Sequence, residues 1–143
     1  MKQILPVFFI VFLFFSQHGW SSELDGKYLI CETFKEKKFP NVGVYGFDFY
    51  GDSVAGVQIV SHGSKAQIEY IGSASSRYYT DIKEVIWYFG NFKLNRETLV
   101  LKEDDKRTHQ CKVTKRTEGK EIINMHLDKL NNEIKERMKD NKI

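Results

Sequence analysis

The amino-acid sequence predicts an all-β fold: a small antiparallel meander of about eight strands, closed as a barrel or stacked as a sandwich, with a C-terminal amphipathic helix. Three observations carry that prediction. Short apolar runs with period-two alternation recur at spacings of roughly 8–12 residues between turn residues. One of the two cysteines, Cys31, lies in the first of these runs and the other, Cys111, in the last. After Thr117 the apolar period lengthens from two to that of a helix.

The chain opens Met1-Lys2-Gln3 and continues as an almost purely apolar block from Ile4 to Phe15, with Ser16, Gly19 and Ser21 after it. A positive start, a short apolar core and small residues behind it describe a secretory signal peptide spanning residues 1–21. The block is shorter than the roughly 20 residues a membrane-crossing helix needs. Its removal would leave 122 residues, one domain of ordinary size, and lower the formal charge from +3 to +2 because Lys2 goes with it. So small an excess of positive charge gives no reason to expect a polyanion, and nucleic acid is not an expected partner. Export to the periplasm or beyond favours pairing of Cys31 with Cys111. The mature protein is expected to be periplasmic or secreted and not membrane-spanning.

Lys27 to Glu32 alternates Tyr28 and Ile30 against Leu29 and Cys31; both faces are apolar, so this strand is expected to be covered on both sides. Thr33 to Asn41 is charged, contains Pro40 and reads as a loop with Phe34 and Phe39 folded back over it. Val42 to Tyr50 places Tyr45, Phe47 and Phe49 on one face. Gly51-Asp52-Ser53 is a hairpin turn, and Val54 to Val60 returns. Ala66 to Ile71 follows a second turn; Gly72 to Arg77 is a loop of small polar residues, and Tyr78 to Ile82 is a short strand.

Val85 to Phe92 is expected as a central strand that aims Val85, Trp87 and Phe89 one way and Ile86 and Tyr88 the other, with a bend at Gly90-Asn91. Thr98 to Lys102 and Arg107 to Thr114 complete the β-domain, residues 22–116. Closed on itself, such a meander would be a lipocalin-like barrel. A disulfide between its first and last strands suits closure. In the remainder, residues 117–143, Ile123, Leu127, Leu130, Ile134 and Met138 form one face of a helix running from Glu118 to Met138, with Thr117 as its cap and Glu133 and Arg137 as an i,i+4 pair. That stripe would either pack on the β-domain, cover a barrel mouth or join two copies as a homodimer.

Catalytic chemistry is not legible. His62, His109 and His126 fall in a turn, a strand and the helix with no ligand spacing, and no hydrolase, metalloprotease or phosphate-loop motif is present, so no enzyme activity, metal or cofactor is expected. Lys112, Lys115, Arg116 and Lys120, with Arg107, read as a solvated basic face. The aromatic set Tyr45, Phe47, Trp87 and Phe89 would line a small apolar ligand's cavity if the barrel were hollow, or fill the core if it were not. Binding of a small apolar ligand or of a protein partner is therefore the expected class of function.

Ser75-Ser76-Arg77-Tyr78 followed by Ile86-Trp87-Tyr88-Phe89-Gly90 resembles the serine-rich loop and tryptophan strand of the bacterial C-type lysozyme inhibitors. The resemblance implies a small exported barrel with a disulfide, and it makes Ser75 and Ser76 a candidate partner loop. Phe89 stands where that family would place the lysine that enters the lysozyme cleft.

Overall fold

The structure, a computed structural model, describes residues 23–34, 42–72 and 75–140. The predicted signal peptide and Phe39 lie outside the described residues. Among the described residues, nine strands form one antiparallel sheet: β1 Lys27–Thr33, β2 Val42–Tyr50, β3 Ser53–His62, β4 Lys65–Tyr70, β5 Ser76–Thr80, β6 Glu84–Trp87, β7 Phe92–Asn95, β8 Val100–Glu103 and β9 Arg107–Lys115. Eight of them close a barrel. β1 pairs with β2 and β9, β2 with β3, and β3 with β5, from which the meander runs unbroken to β9. β4 is the extra strand and, among the described residues, pairs with β3 alone.

Closure follows from β3 serving two partners on one side. Its first residues, Ser53 and Val54, face Arg77 and Ser76 of β5, whereas Val57 to His62 face β4. Where the partner changes, Gly56 donates its N–H to the hydroxyl of Tyr88 and accepts from the N–H of Ile71. A side chain thus supplies the hydrogen bond that neither neighbouring strand reaches, as a buried backbone donor requires.

Alternation sorts the side chains into two cores. Leu29, Cys31, Tyr45, Phe47, Phe49, Val54, Trp87, Leu94 and Leu101 point into the barrel. Tyr28 and Ile30, on the other face of β1, meet Ile59, Ala66, Ile123 and Ile134 beneath the helix α1, Arg116–Asp140. Both faces of β1 are covered, as its sequence predicts. Cys31 and Cys111 stand opposite each other in the β1–β9 register and are disulfide-bonded across 80 residues of chain. Closing a loop of that length stabilises the fold by about 4–5 kcal/mol in the chain-entropy account.

The helix lies on the outer flank of the barrel. It begins directly after β9, so Thr117 is a helical residue and not the cap. Two glycines allow the close approach: a Cβ at Gly119 would collide with the ring of Tyr28, and one at Gly46 with its hydroxyl. Asp48 fixes the start of the helix, accepting from Arg116 Nε at 2.6 Å and lying 3.7 Å from Lys120 Nζ. Two members of the basic group are therefore paired with one carboxylate. Farther along, Arg137 donates to the backbone carbonyl of Glu133, not to its carboxylate. Among the described residues no helix is long and apolar enough to cross a membrane.

The central strand is shorter than predicted. It ends at Trp87, and Tyr88–Gly90 make a single turn, all three residues at positive φ, leading into β7. β8 likewise starts at Val100 and not Thr98, because Leu99 takes a positive φ.

Candidate functional site

Inside the barrel the aromatic rings meet one another. Phe47 lies edge-on to Trp87 at 5.0 Å and to Phe92 at 5.2 Å between centroids, Tyr45 stacks on Phe47 at 6.1 Å, and Trp87 stacks on Phe92 at 5.8 Å. Such offset and edge-to-face geometries are the favourable ones for aromatic pairs. Tyr45, Phe47 and Trp87 thus occupy the middle of the barrel as packed side chains. Trp87 Nε1 is fully buried and, among the described residues, has no hydrogen-bond acceptor. Phe89 is not with them. It is fully exposed, and its neighbour Tyr88, expected to face the other way, is buried in the core against Phe92.

The reason is local backbone geometry. Tyr88, Phe89 and Gly90 have φ of 48°, 57° and 89°. Glycine adopts this region freely, but for a bulky residue it is a true outlier and disfavoured by roughly 1–2 kcal/mol per residue. Three left-handed residues reverse the chain in place of continuing the strand, which breaks the period-two alternation on which the interior placement of Phe89 rested. Tyr88 holds the turn from within. Its hydroxyl caps Gly56, its ring packs edge-on to Phe92 at 5.8 Å, and its N–H donates to Ser76 Oγ at 3.2 Å. Burial pushes the Tyr88 hydroxyl above its ordinary pKa despite the opposing effect of the Gly56 hydrogen bond.

The turn after β8 sits beside it. Asp104 and Asp105 also have positive φ, a conformation that aspartate tolerates and tight hairpins favour. Asp104 N–H donates to Asn91 O at 2.8 Å, and Lys93 Nζ lies 3.2 Å from Asp105 Oδ2, so the two turns are tied together. Four of the five non-glycine residues with positive φ among the described residues therefore lie on one rim of the barrel.

Beneath this rim is a polar cluster. His109, only 1% exposed, faces Glu103 Oε2 through Nε2 at 3.3 Å and Thr33 Oγ1 through Nδ1 at 3.1 Å. Tyr45 donates its hydroxyl to the same Glu103 oxygen at 3.2 Å. A carboxylate can only accept, so Nε2 carries the hydrogen in the neutral ring and Nδ1 accepts from Thr33. The hydrogen bond from His109 holds the Glu103 carboxyl below the usual carboxylate range against the effect of burial, with Arg107 and Tyr45 adding to the lowering. Burial, then Glu103, push the Tyr45 hydroxyl well up.

The two candidate partner-loop residues are brought to the rim. Ser75 is exposed at its side, and Ser76, the first residue of β5, commits its hydroxyl to the N–H of Tyr88 and the carbonyl of Arg77. The three histidines stay apart: His62 pairs with Glu69, His109 with Glu103 and His126 with Glu32. Sequence reasoning missed Tyr88 as the anchor and the Asp104–Asp105 turn as part of the same surface. The one available signal was Gly90-Asn91 inside an apolar run, which marks a reversal as readily as a bend.

In comparisons with known proteins, no family model, no curated protein and no solved structure matches this chain.

Proposed function

We propose that the protein is an exported, non-enzymatic interaction module that engages a protein partner through the rim bearing Phe89, flanked by Ser75 and the Asp104–Asp105 turn. The observation that carries this reading is a pair of bulky residues held at positive φ so that one is a buried anchor and the next a fully displayed phenyl ring. Strain of this kind persists only where the surroundings over-determine it, and it concentrates at ligand clamps and switch regions. The filled barrel supports a surface partner over an internal apolar ligand. The disulfide is consistent with an oxidising compartment.

The test places a benzophenone side chain at Phe89 in the full chain, expressed in its own host and irradiated. One discrete crosslinked polypeptide is expected, and it should be absent when the benzophenone sits at Tyr79, which is exposed on the barrel flank. Equal crosslinking at both positions would count against the rim.

A second reading, inhibition of a C-type lysozyme, rests on Ser75 standing exposed beside the Tyr88–Gly90 turn. Lysozyme assayed with excess protein decides it, and full enzyme activity removes this reading while leaving the rim reading intact. Assembly through the helix has less support, because Ile123 and Ile134 are buried against the barrel with Leu127 and Leu130 packed beside them. A monomer in light scattering is expected.

A further inference from the structure

β4 is an edge strand: its outer side has no strand neighbour among the described residues. The phase of that edge is set by two observations. Ile71 donates its N–H to Gly56 of β3, so odd-numbered residues of this segment bond inward. Ala66 exchanges both backbone groups with the Asn131 side chain, N–H to Oδ1 at 2.8 Å and Nδ2 to the carbonyl at 3.2 Å, so even-numbered residues bond outward. An amide from the helix thus supplies the two-point pairing that a neighbouring strand residue would supply. The next outward residues are Ile68 and Tyr70, whose N–H and C=O groups meet no partner among the described residues. Tyr70 is 72% exposed and Ile68 36%.

A second copy of this chain is a poor occupant. Within the span of β4, one two-fold register sets Ile68 against Ile68 and brings Tyr70 opposite Ala66, whose backbone Asn131 already holds. The other sets Ile68 against Tyr70 and places Glu69 directly opposite Glu69, and like charges so placed are destabilising. Hydrogen bonds from Gln67 and then His62 hold the Glu69 carboxyl below its usual range, so both would be charged.

We infer that the open edge of β4 at Ile68–Tyr70 accepts an extended segment of another polypeptide by β-augmentation, with apolar residues opposite Ile68 and Tyr70 and a basic residue opposite Glu69. Main-chain hydrogen bonds give such a mode its affinity, and the alternating side chains give its selectivity. The charge of Glu69, which opposes self-pairing, is what a cationic residue of the incoming strand would meet. The surface is separate from the rim bearing Phe89 and does not rest on it.

The probe is the capped peptide Thr-Val-Lys-Val-Thr, titrated into the isotopically labelled full chain and followed by amide NMR. The amides of Ile68 and Tyr70 should shift, and before addition they should exchange with solvent faster than those of Gln67 and Glu69. Methylating the nitrogens of both valines should lower affinity about tenfold or more, the scale of one or two backbone hydrogen bonds. Ile68→Pro removes an outward N–H that the β3 ladder does not use, so the fold should persist while the peptide is lost. If that variant unfolds, Glu69→Lys serves instead and should exchange the preference to Thr-Val-Glu-Val-Thr. A Phe89→Asn variant should bind the peptide unchanged. Equal binding of the methylated peptide, slow exchange at Ile68 and Tyr70, or shifts confined to the rim would each overturn the inference.

Discussion

The flank beneath α1 and the rim at Tyr88–Gly90 are built on opposite rules. On the flank every local preference agrees with the packing: β1 alternates cleanly, the helix stripe meets Tyr28, Ile30, Ile59 and Ala66, glycine sits where the helix needs room, and Asp48 receives the basic side chains at the helix start. On the rim two aromatic residues adopt a conformation that their side chains disfavour, and the ring that alternation would bury is left in water. Agreement across levels marks a region selected for folding, whereas a local violation held by strong contacts marks one selected for something else. The difference is what singles out the rim as the proposed partner surface.

The contrast can be tested by substitution. Replacing both cysteines, Cys31→Ala with Cys111→Ala, should have the largest effect, a loss of about 4–5 kcal/mol by denaturant titration, since it frees the whole barrel chain in the unfolded state. Ile123→Ala opens a cavity between helix and barrel and should lose about 2–4 kcal/mol. Gly119→Ala crowds Tyr28 and should lose about 1–3 kcal/mol. Neither helix variant should alter crosslinking from position 89 while the protein remains folded. Phe89→Asn should behave in the opposite sense: asparagine tolerates positive φ, so stability should rise by about 0.5–1 kcal/mol while partner capture falls. A Phe89→Asn protein that is less stable and still captures its partner would erase the distinction between the two regions.

Proton titration acts on both regions at smaller amplitude. Glu103, under the rim, has a depressed folded-state pKa, so its contribution is present above the ordinary value near 4.3 and is lost as pH falls through the lower folded value. Tyr28, under the helix, is pushed up to about 12 by burial and by the charge of Asp48. Its contribution is complete below the ordinary value of about 10, declines above it and is gone once pH has risen through about 12. Glu103→Gln should flatten the acid limb of stability against pH, and Tyr28→Phe should flatten part of the alkaline limb, to which Tyr45 and Tyr88 under the rim also contribute because burial raises their hydroxyls too. Thermal melts across the pH range would show the acid limb responding to Glu103→Gln and not to Tyr28→Phe.

Most of the scaffold was legible in the sequence, and most of the candidate site was not. Alternation in Lys27–Glu32 put Leu29 and Cys31 on one face and Tyr28 and Ile30 on the other, alternation in Val42–Tyr50 put Tyr45, Phe47 and Phe49 together, and the structure agrees. The cysteine pairing was readable because two cysteines offer one intramolecular pair, and the helix stripe because it depends on period within one segment. Phe89 was assigned to the wrong face because alternation assumes an uninterrupted strand, and three left-handed residues interrupt it.

By itself the sequence determined which residues face together within the uninterrupted strands, that a covalent link joins the first strand to the last, and that the C-terminal segment is a helix with one apolar side. Side-chain period and residue type settle those matters locally. Only the tertiary structure decided that the helix lies on the outer flank, that β3 divides its edge between β4 and β5, and that Tyr88 fills the resulting gap and turns Phe89 outward. Those features depend on which distant backbone groups remain without a hydrogen bond once the barrel closes, and no pattern within a single segment records that.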